Sequence, residues 1–261
     1  MEATKEIEEI VDDVEEKFSG FKKFDILPIT VFHDHYFFPY LYPINEIFRR
    51  KSLEKIMKQE LKTLEQSLPN WIFVRGYDSK GRGVDLIRAA IAGLENTPYR
   101  YGFFFFDILI PYDYPSKPPQ LFYHSWVQEE CVPSTSSRSR HELKEKKKAA
   151  VIFKQTCETM LSIMEKPPQD FGDFVAGYFR KWSNRILLCC KEEMQKHNSV
   201  MDLLFFLKLL KAFEANGSYC RHHYDHKIKS LIMNMDKDTE RERVDETFLE
   251  KLTTMLFKYM G

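Results

Sequence analysis

Apolar positions along this chain follow a helical period, then a strand-like one, then a helical one again. Residues 2–18 place Ile7, Ile10, Val11, Val14 and Phe18 on one helical face with acidic residues elsewhere, which predicts an amphipathic helix. Residues 20–50 are aromatic and irregular. Within them, His33 and His35 of the run His33-Asp34-His35-Tyr36-Phe37-Phe38-Pro39 read as packed side chains, because no Cys or His cluster stands nearby to complete a metal site. Leu53, Ile56, Met57, Leu61, Leu64 and Leu68 then recur at helical spacing. Ser52 is the expected N-cap of this helix, and Pro69-Asn70 stops it.

Four strand-like runs follow, Trp71–Tyr77, Asp85–Leu94, Gly102–Pro111 and Gln120–Ser125. Short polar or Gly/Pro connections such as Asp78–Gly83 and Glu95–Pro98 suit antiparallel neighbours, so the region predicts a four-stranded antiparallel meander. Phe103 to Phe106 put aromatic side chains on both faces of the third strand, and both faces need cover. From Val127 through Ala149 the chain is polar and shows almost no apolar periodicity. Helical patterning resumes at Val151–Glu165, stops at Pro167-Pro168, continues through 170–196, and returns at Met201–Ala215 and Glu246–Tyr259. The predicted class is α+β: an N-terminal helix, the meander, then C-terminal helices. The predicted domains are a flank at 1–50, a core at 51–190 interrupted by a polar insert at 126–150, and a helical extension at 191–261.

Composition narrows the function. Lys+Arg and Asp+Glu both number 39, so no broad basic field exists to hold a nucleic acid or a membrane surface. The most apolar stretch, Leu203 to Leu210, is short and contains Lys208, so no membrane span is expected. The five cysteines, Cys131, Cys157, Cys189, Cys190 and Cys220, are odd in number and two are adjacent. The acidic stretch from Glu2 to Lys17 does not read as a secretory leader. A reducing compartment, cytoplasmic or nuclear, is the expectation.

The ordered runs Leu68-Pro69-Asn70-Trp71-Ile72-Phe73-Val74-Arg75, Asp85-Leu86-Ile87-Arg88-Ala89-Ala90-Ile91-Ala92-Gly93, Thr97-Pro98-Tyr99, Gly102-Phe103-Phe104-Phe105-Phe106-Asp107 and Tyr114-Pro115-Ser116-Lys117-Pro118-Pro119 closely resemble the ubiquitin-conjugating enzymes, in particular the large plant and animal group with long flanks. Phe24-Asp25 and Asp34-His35-Tyr36 resemble that group's N-terminal flank. Residues 153–190 resemble its C-terminal core helices. The resemblance implies ubiquitin, its activating enzyme and ubiquitin ligases as partners, with no cofactor or metal. It also implies chemistry at an exposed, activated cysteine supported by the Asn of a His-Pro-Asn triplet.

At that point the chain departs from the family pattern. After His124-Ser125 there is no His-Pro-Asn triplet, no Gly-x-Val-Cys-Leu run and no sequence like the large helix that follows them; the polar insert stands in their place. No residue matches the catalytic cysteine. Cys131 is the one cysteine near the right position, but Glu129 and Glu130 beside it oppose thiolate formation, and no Asn occurs between Asn96 and Asn184. Cys157, Cys189 and Cys190 read as packed thiols. Cys220, His222, His223 and His226 read as a surface cluster without the second ligand pair that would close a metal site. Lys144–Lys148 reads as a solvated basic run.

In the family, the helix before the sheet and the Tyr-Pro-x-x-Pro-Pro loop form the docking surface. By that resemblance the docking residues are Lys55, Lys58 and Lys62, three to four residues apart on the polar face of the helix, together with Tyr114, Pro115, Ser116, Lys117, Pro118 and Pro119. Many members carry a bulky apolar anchor where this chain has Ser116. Uncovering three or four large apolar side chains on the sheet would remove about 5–10 kcal/mol, so the face above the lost helix needs another cover, and helix 201–215 is the expected one. Three readings stand: a catalytically inactive docking module, an enzyme using Cys131 or encoded intact by other transcripts of the locus, and a misspliced product without stable function.

Overall fold

The computed structural model describes residues 13–29, 33–41, 51–78, 83–124, 138–196, 201–224 and 228–229. The four predicted strands all form, as β2 (Ile72–Asp78), β3 (Val84–Ala92), β4 (Phe103–Leu109) and β5 (Gln120–Tyr123), each antiparallel to the next. A further strand, β1 (Phe24–Pro28), lies parallel to β2 with Phe24 beside Val74 and Pro28 beside Asp78. The sheet is therefore five-stranded and mixed, in the order β1-β2-β3-β4-β5: the predicted antiparallel meander with one parallel strand added at its edge. Sequence pattern did not show β1 because the strand is short, sits at an edge where alternation is weak, and ends on Pro28, which only an edge accepts.

Helix α1 (Asp13–Ser19) is the described part of the predicted N-terminal helix; Ile7, Ile10 and Val11 lie outside the described residues. Helix α2 (Lys51–Ser67) covers one face of the sheet. Leu53, Met57, Leu61 and Leu68 join Val74, Val84, Ile87 and Ile110 in one core, because the α2 side chains recur every three or four residues while the strand side chains alternate. Ser52 lies inside this helix, which already includes Lys51, so it is not the N-cap.

The opposite face presents Phe73, Phe103 and Phe105. Helix α3 (Arg138–Glu165) and the start of α4 (Gly172–Met194) supply its cover within the first unit. The Phe174 ring lies 4.4 Å from that of Phe73 and 5.3 Å from that of Phe103, the Phe171 ring 5.1 Å from that of Phe105, and the Tyr178 ring 4.9 Å from that of Phe103. Gly102 allows α3 to approach: a Cβ there would stand 2.5 Å from the Thr156 methyl. Helix α3 begins at Arg138, so the second half of the segment expected as a polar insert is helical. Glu, Leu, Lys and Ala dominate from Glu142 to Ala150 and no Gly or Pro interrupts them, so intrinsic propensity builds a helix where amphipathic pattern is missing.

Two compact units divide the chain, Met1–Tyr178 and Phe179–Gly261. In the second, α5 (Leu203–Ala215) realises the predicted apolar helix, with Asp202 as N-cap accepting from the Phe205 N–H at 2.7 Å. Phe206, Leu207, Leu209, Leu210 and Phe213 are buried, and Arg180 Nε and Nη2 bond the Asn216 carbonyl at the helix end. A short 3-10 turn, Arg221–His223, follows. The predicted helix at 246–259 lies outside the described residues. No described helix is long and apolar enough to cross a membrane.

Candidate functional site

The exposed face of α2 and the loop after β4 meet at one hydrogen bond. The Tyr114 hydroxyl donates to the Glu60 carboxylate, 2.7 Å from both oxygens, while the Tyr114 ring packs against the α2 core. That hydrogen bond, more than partial burial, raises the Tyr114 phenol above its ordinary range. Lys55, Lys58 and Lys62 are exposed on the same helix, and Pro115, Ser116, Lys117, Pro118 and Pro119 are exposed on the loop. Lys117 turns back onto Asp113 at 2.9 Å. The Tyr114–Pro115 peptide is cis. Of the nine residues singled out for docking, the structure ties Tyr114 to α2 and leaves the other eight exposed on the helix and the loop.

Across β3 and β4 lies a buried charge network whose pairing the sequence pattern did not show. Arg88 on β3 faces Asp107 on β4 in register, and both side chains are wholly buried. Arg88 Nε donates to Asp107 Oδ1 at 2.7 Å and Nη2 to Oδ2 at 2.9 Å. Nη1 donates to Asp34 Oδ1 at 2.6 Å. Asp107 Oδ2 also accepts from the Tyr36 backbone N–H at 2.7 Å and from His124 Nε2 at 2.8 Å. Burial alone would push the Asp107 carboxyl up, but the bonds from Arg88 and His124 outweigh it and hold the group well below the carboxylate range. Burial likewise works against the Arg88 charge, and Asp107 overcomes it.

The histidines of the N-terminal flank extend this network. His35 is buried, donates from Nε2 to the Ile87 carbonyl at 3.0 Å and accepts the Phe37 N–H at Nδ1. Burial pushes its pKa down to about 4, against the pull of Asp107. His33 accepts the His35 N–H at Nδ1 and donates from Nε2 to Asp170 at 3.2 Å, which lowers the Asp170 carboxyl. Asp34 accepts the Gln169 N–H at 2.9 Å. Both rings pack on Tyr77, so the structural reading of His33 and His35 holds. The network pins three segments to one buried pair: the flank at 33–36, the start of the 169–170 turn, and His124 at the end of β5.

Cys157 and Cys190 are buried, as expected of packed thiols, and Cys189 is half-buried. Cys131 lies outside the described residues, as does His226. Cys220 is buried, and burial pushes its thiol up to about 11, so it is no activated nucleophile. The expected surface cluster at 220–223 is only partly on the surface: His222 is exposed, but Cys220 and His223 are not. His222 Nε2 and His223 Nε2 stand 2.9 and 2.7 Å from one atom, Asn184 Oδ1.

A helix on one face, a strand meander, and a Tyr-Pro-x-x-Pro-Pro loop locked to that helix define a fold of the ubiquitin-conjugating type. A family model described as ubiquitin-conjugating enzyme matches residues 56–170. Curated relatives agree: the probable ubiquitin-conjugating enzymes E2 23 and E2 25 of Arabidopsis thaliana are 29% and 30% identical over 67% and 65% of this chain. The dual E2 ubiquitin-conjugating enzyme/E3 ubiquitin-protein ligase BIRC6 of Homo sapiens is 40% identical over 24% of the chain and 1% of its own length. Over these residues the chain is similar to the ubiquitin-conjugating enzymes. It spans only 20% and 36% of the lengths of the two Arabidopsis relatives.

Proposed function

We propose that the chain is a catalytically silent ubiquitin-conjugating-like module that binds ubiquitin-pathway proteins through α2 and the Tyr114–Pro119 loop. The observation that carries this reading is a contrast between two adjacent regions. Lys55, Lys58 and Lys62 on α2 and Pro115 to Pro119 on the loop are exposed, and helix and loop are joined through Tyr114 and Glu60. The stretch after His124, where the family places its cysteine and oxyanion-supporting asparagine, has no His-Pro-Asn triplet and no asparagine before Asn184. Cys131 follows Glu129-Glu130 and precedes a Val-Pro pair, and two adjacent carboxylates in sequence oppose thiolate formation. By family resemblance the partners are ubiquitin, the ubiquitin-activating enzyme and ubiquitin ligases. Ser116, in place of a bulky apolar side chain, weakens a ligase anchor at that position.

The test is a thioester assay with activating enzyme, ATP and ubiquitin. No reducible ubiquitin adduct is expected. An adduct that disappears on Cys131→Ser would replace this reading with the enzyme reading. Sequencing the native transcript across the codons for Ser125 to Val151 separates a silent module from a splicing product, since an intact His-Pro-Asn and cysteine segment there would restore the enzyme.

A further inference from the structure

We propose that Asn184, His222 and His223 form a binding site for one borderline divalent transition-metal ion, of the class represented by Zn2+ and Cu2+. The site lies wholly within the second unit and is independent of the docking reading. Two imidazole nitrogens converge on a single oxygen: His222 Nε2 at 2.9 Å and His223 Nε2 at 2.7 Å from Asn184 Oδ1, with ring centroids 4.2 Å apart. An amide oxygen only accepts, so in the metal-free state both rings present Nε2–H to it. Imidazole nitrogen is a preferred donor for Zn2+ and Cu2+, and a neutral amide oxygen completes a facial set of three.

The arrangement is held from behind. His223 is almost wholly buried, its N–H is bonded to the Cys220 carbonyl at 2.9 Å, and its own carbonyl accepts Lys191 Nζ at 2.8 Å. Its backbone is therefore fixed and its ring enclosed before any ion arrives. His222 and Asn184 are exposed, so water can occupy the remaining coordination positions. Among the described residues no group of three or more His, Cys, Asp or Glu could hold a metal; the third ligand here is an amide, so the site is of the open kind and not a closed structural one. Binding replaces each Nε2–H with a nitrogen–metal bond, each proton passing to the ring's Nδ1 or to solvent, and nothing is oxidised. The Lys191 ammonium at the His223 carbonyl opposes a second cation and limits affinity.

The full chain, stripped with a chelator, is titrated with Zn2+ by calorimetry and with Cu2+ by electron paramagnetic resonance. Uptake of one ion per chain and a nitrogen hyperfine pattern from two imidazoles are expected. His222→Ala, at an exposed position, should weaken Zn2+ binding at least about tenfold, since even outer-layer partners of metal ligands are worth 10–100-fold. Asn184→Asp should strengthen it, because a carboxylate replaces a neutral oxygen; a purely structural Asn184 would give no such gain. No uptake, uptake unchanged in His222→Ala, or unchanged or weaker binding in Asn184→Asp overturns the proposal.

Discussion

Arg88 grips Asp107 with two parallel hydrogen bonds, at 2.7 and 2.9 Å, from facing positions of neighbouring strands where neither side chain meets solvent. A bidentate pair of this kind is geometrically specific, and the remaining acceptor capacity of Asp107 is spent on Tyr36 and His124. Removing one partner leaves the other as an uncompensated buried charge. Asp107→Ala should therefore cost about 3–5 kcal/mol of unfolding free energy. Replacing both residues together with apolar ones of similar volume should cost less than the two single changes combined. Urea denaturation of the three variants measures the coupling.

Acid should unfold the first unit in two stages. The His35 imidazole has its pKa pushed down to about 4 by burial, against about 6.5 when unfolded. Between those values the unfolded chain binds more protons, so the His35 contribution is fully present above pH 6.5 and is lost as pH falls towards 4, by up to about 3 kcal/mol. Asp107, whose carboxyl is depressed, adds a second loss at still lower pH. Melting temperature followed from pH 7 to 4 should fall, and His35→Gln should flatten the upper part of that fall.

Gly93 should tolerate no side chain. Its N–H bonds the Gly102 carbonyl and its carbonyl accepts the Tyr101 N–H, which closes the β3–β4 connection so tightly that an added Cβ would stand 1.7 Å from the Tyr99 carbonyl oxygen. The obstacle is backbone, so no rotamer change relieves it. Gly93→Ala should destabilise by more than about 1 kcal/mol, whereas Gly20→Ala, whose nearest contact would be 3.4 Å, should cost less. Thermal melts of the two variants make the comparison.

Charge reversal on α2 tests the docking surface without touching the core. Lys55, Lys58 and Lys62 are exposed, and changing all three to Glu should leave the melting temperature nearly unchanged. Binding to the ubiquitin-activating enzyme should weaken by about tenfold, mainly through slower association, since rim charges act on encounter. Surface plasmon resonance at low and physiological salt reads both rates; equal rates for wild type and variant would count against the surface.

Truncating the aromatic cover should be expensive. Phe171 is fully buried, and its ring lies against Phe105 and under the Arg75 guanidinium. Phe171→Ala should cost about 3–5 kcal/mol by opening a cavity between the sheet and the residues before α4. The same substitution at exposed Tyr112 should be nearly neutral, and a shared denaturation series distinguishes them.

Local pattern alone sufficed for α2, the meander, α4 and α5, because each buries a face at its own period and one face of a helix or strand is legible in consecutive residues. It also carried the exposure of Lys55, Lys58 and Lys62 and of Pro115 to Pro119, since both are local signals. It failed at the start of α3, where charged helix formers carry propensity without an apolar stripe, and at β1, where an edge position needs no alternation. A signal for the buried network did exist: Arg88 and Asp107 each interrupt an apolar strand. Turning that signal into a pair required the β3–β4 register.

What the sequence determined by itself was therefore the kind of chain this is: its α+β order and its likeness to the ubiquitin-conjugating enzymes. Tertiary structure decided which charges are buried and what they hold. Asp34, Arg88, Asp107, His124 and Asp170 are dispersed along the chain; sheet pairing brings Arg88 to Asp107, and the packing of the 33–36 flank and the 169–170 turn adds the rest. Hydrophobic periodicity is a property of neighbours in sequence, whereas electrostatics in a low-dielectric interior depends on distance in space. That is why the helices and strands could be read along the chain and the network that anchors the flank could not.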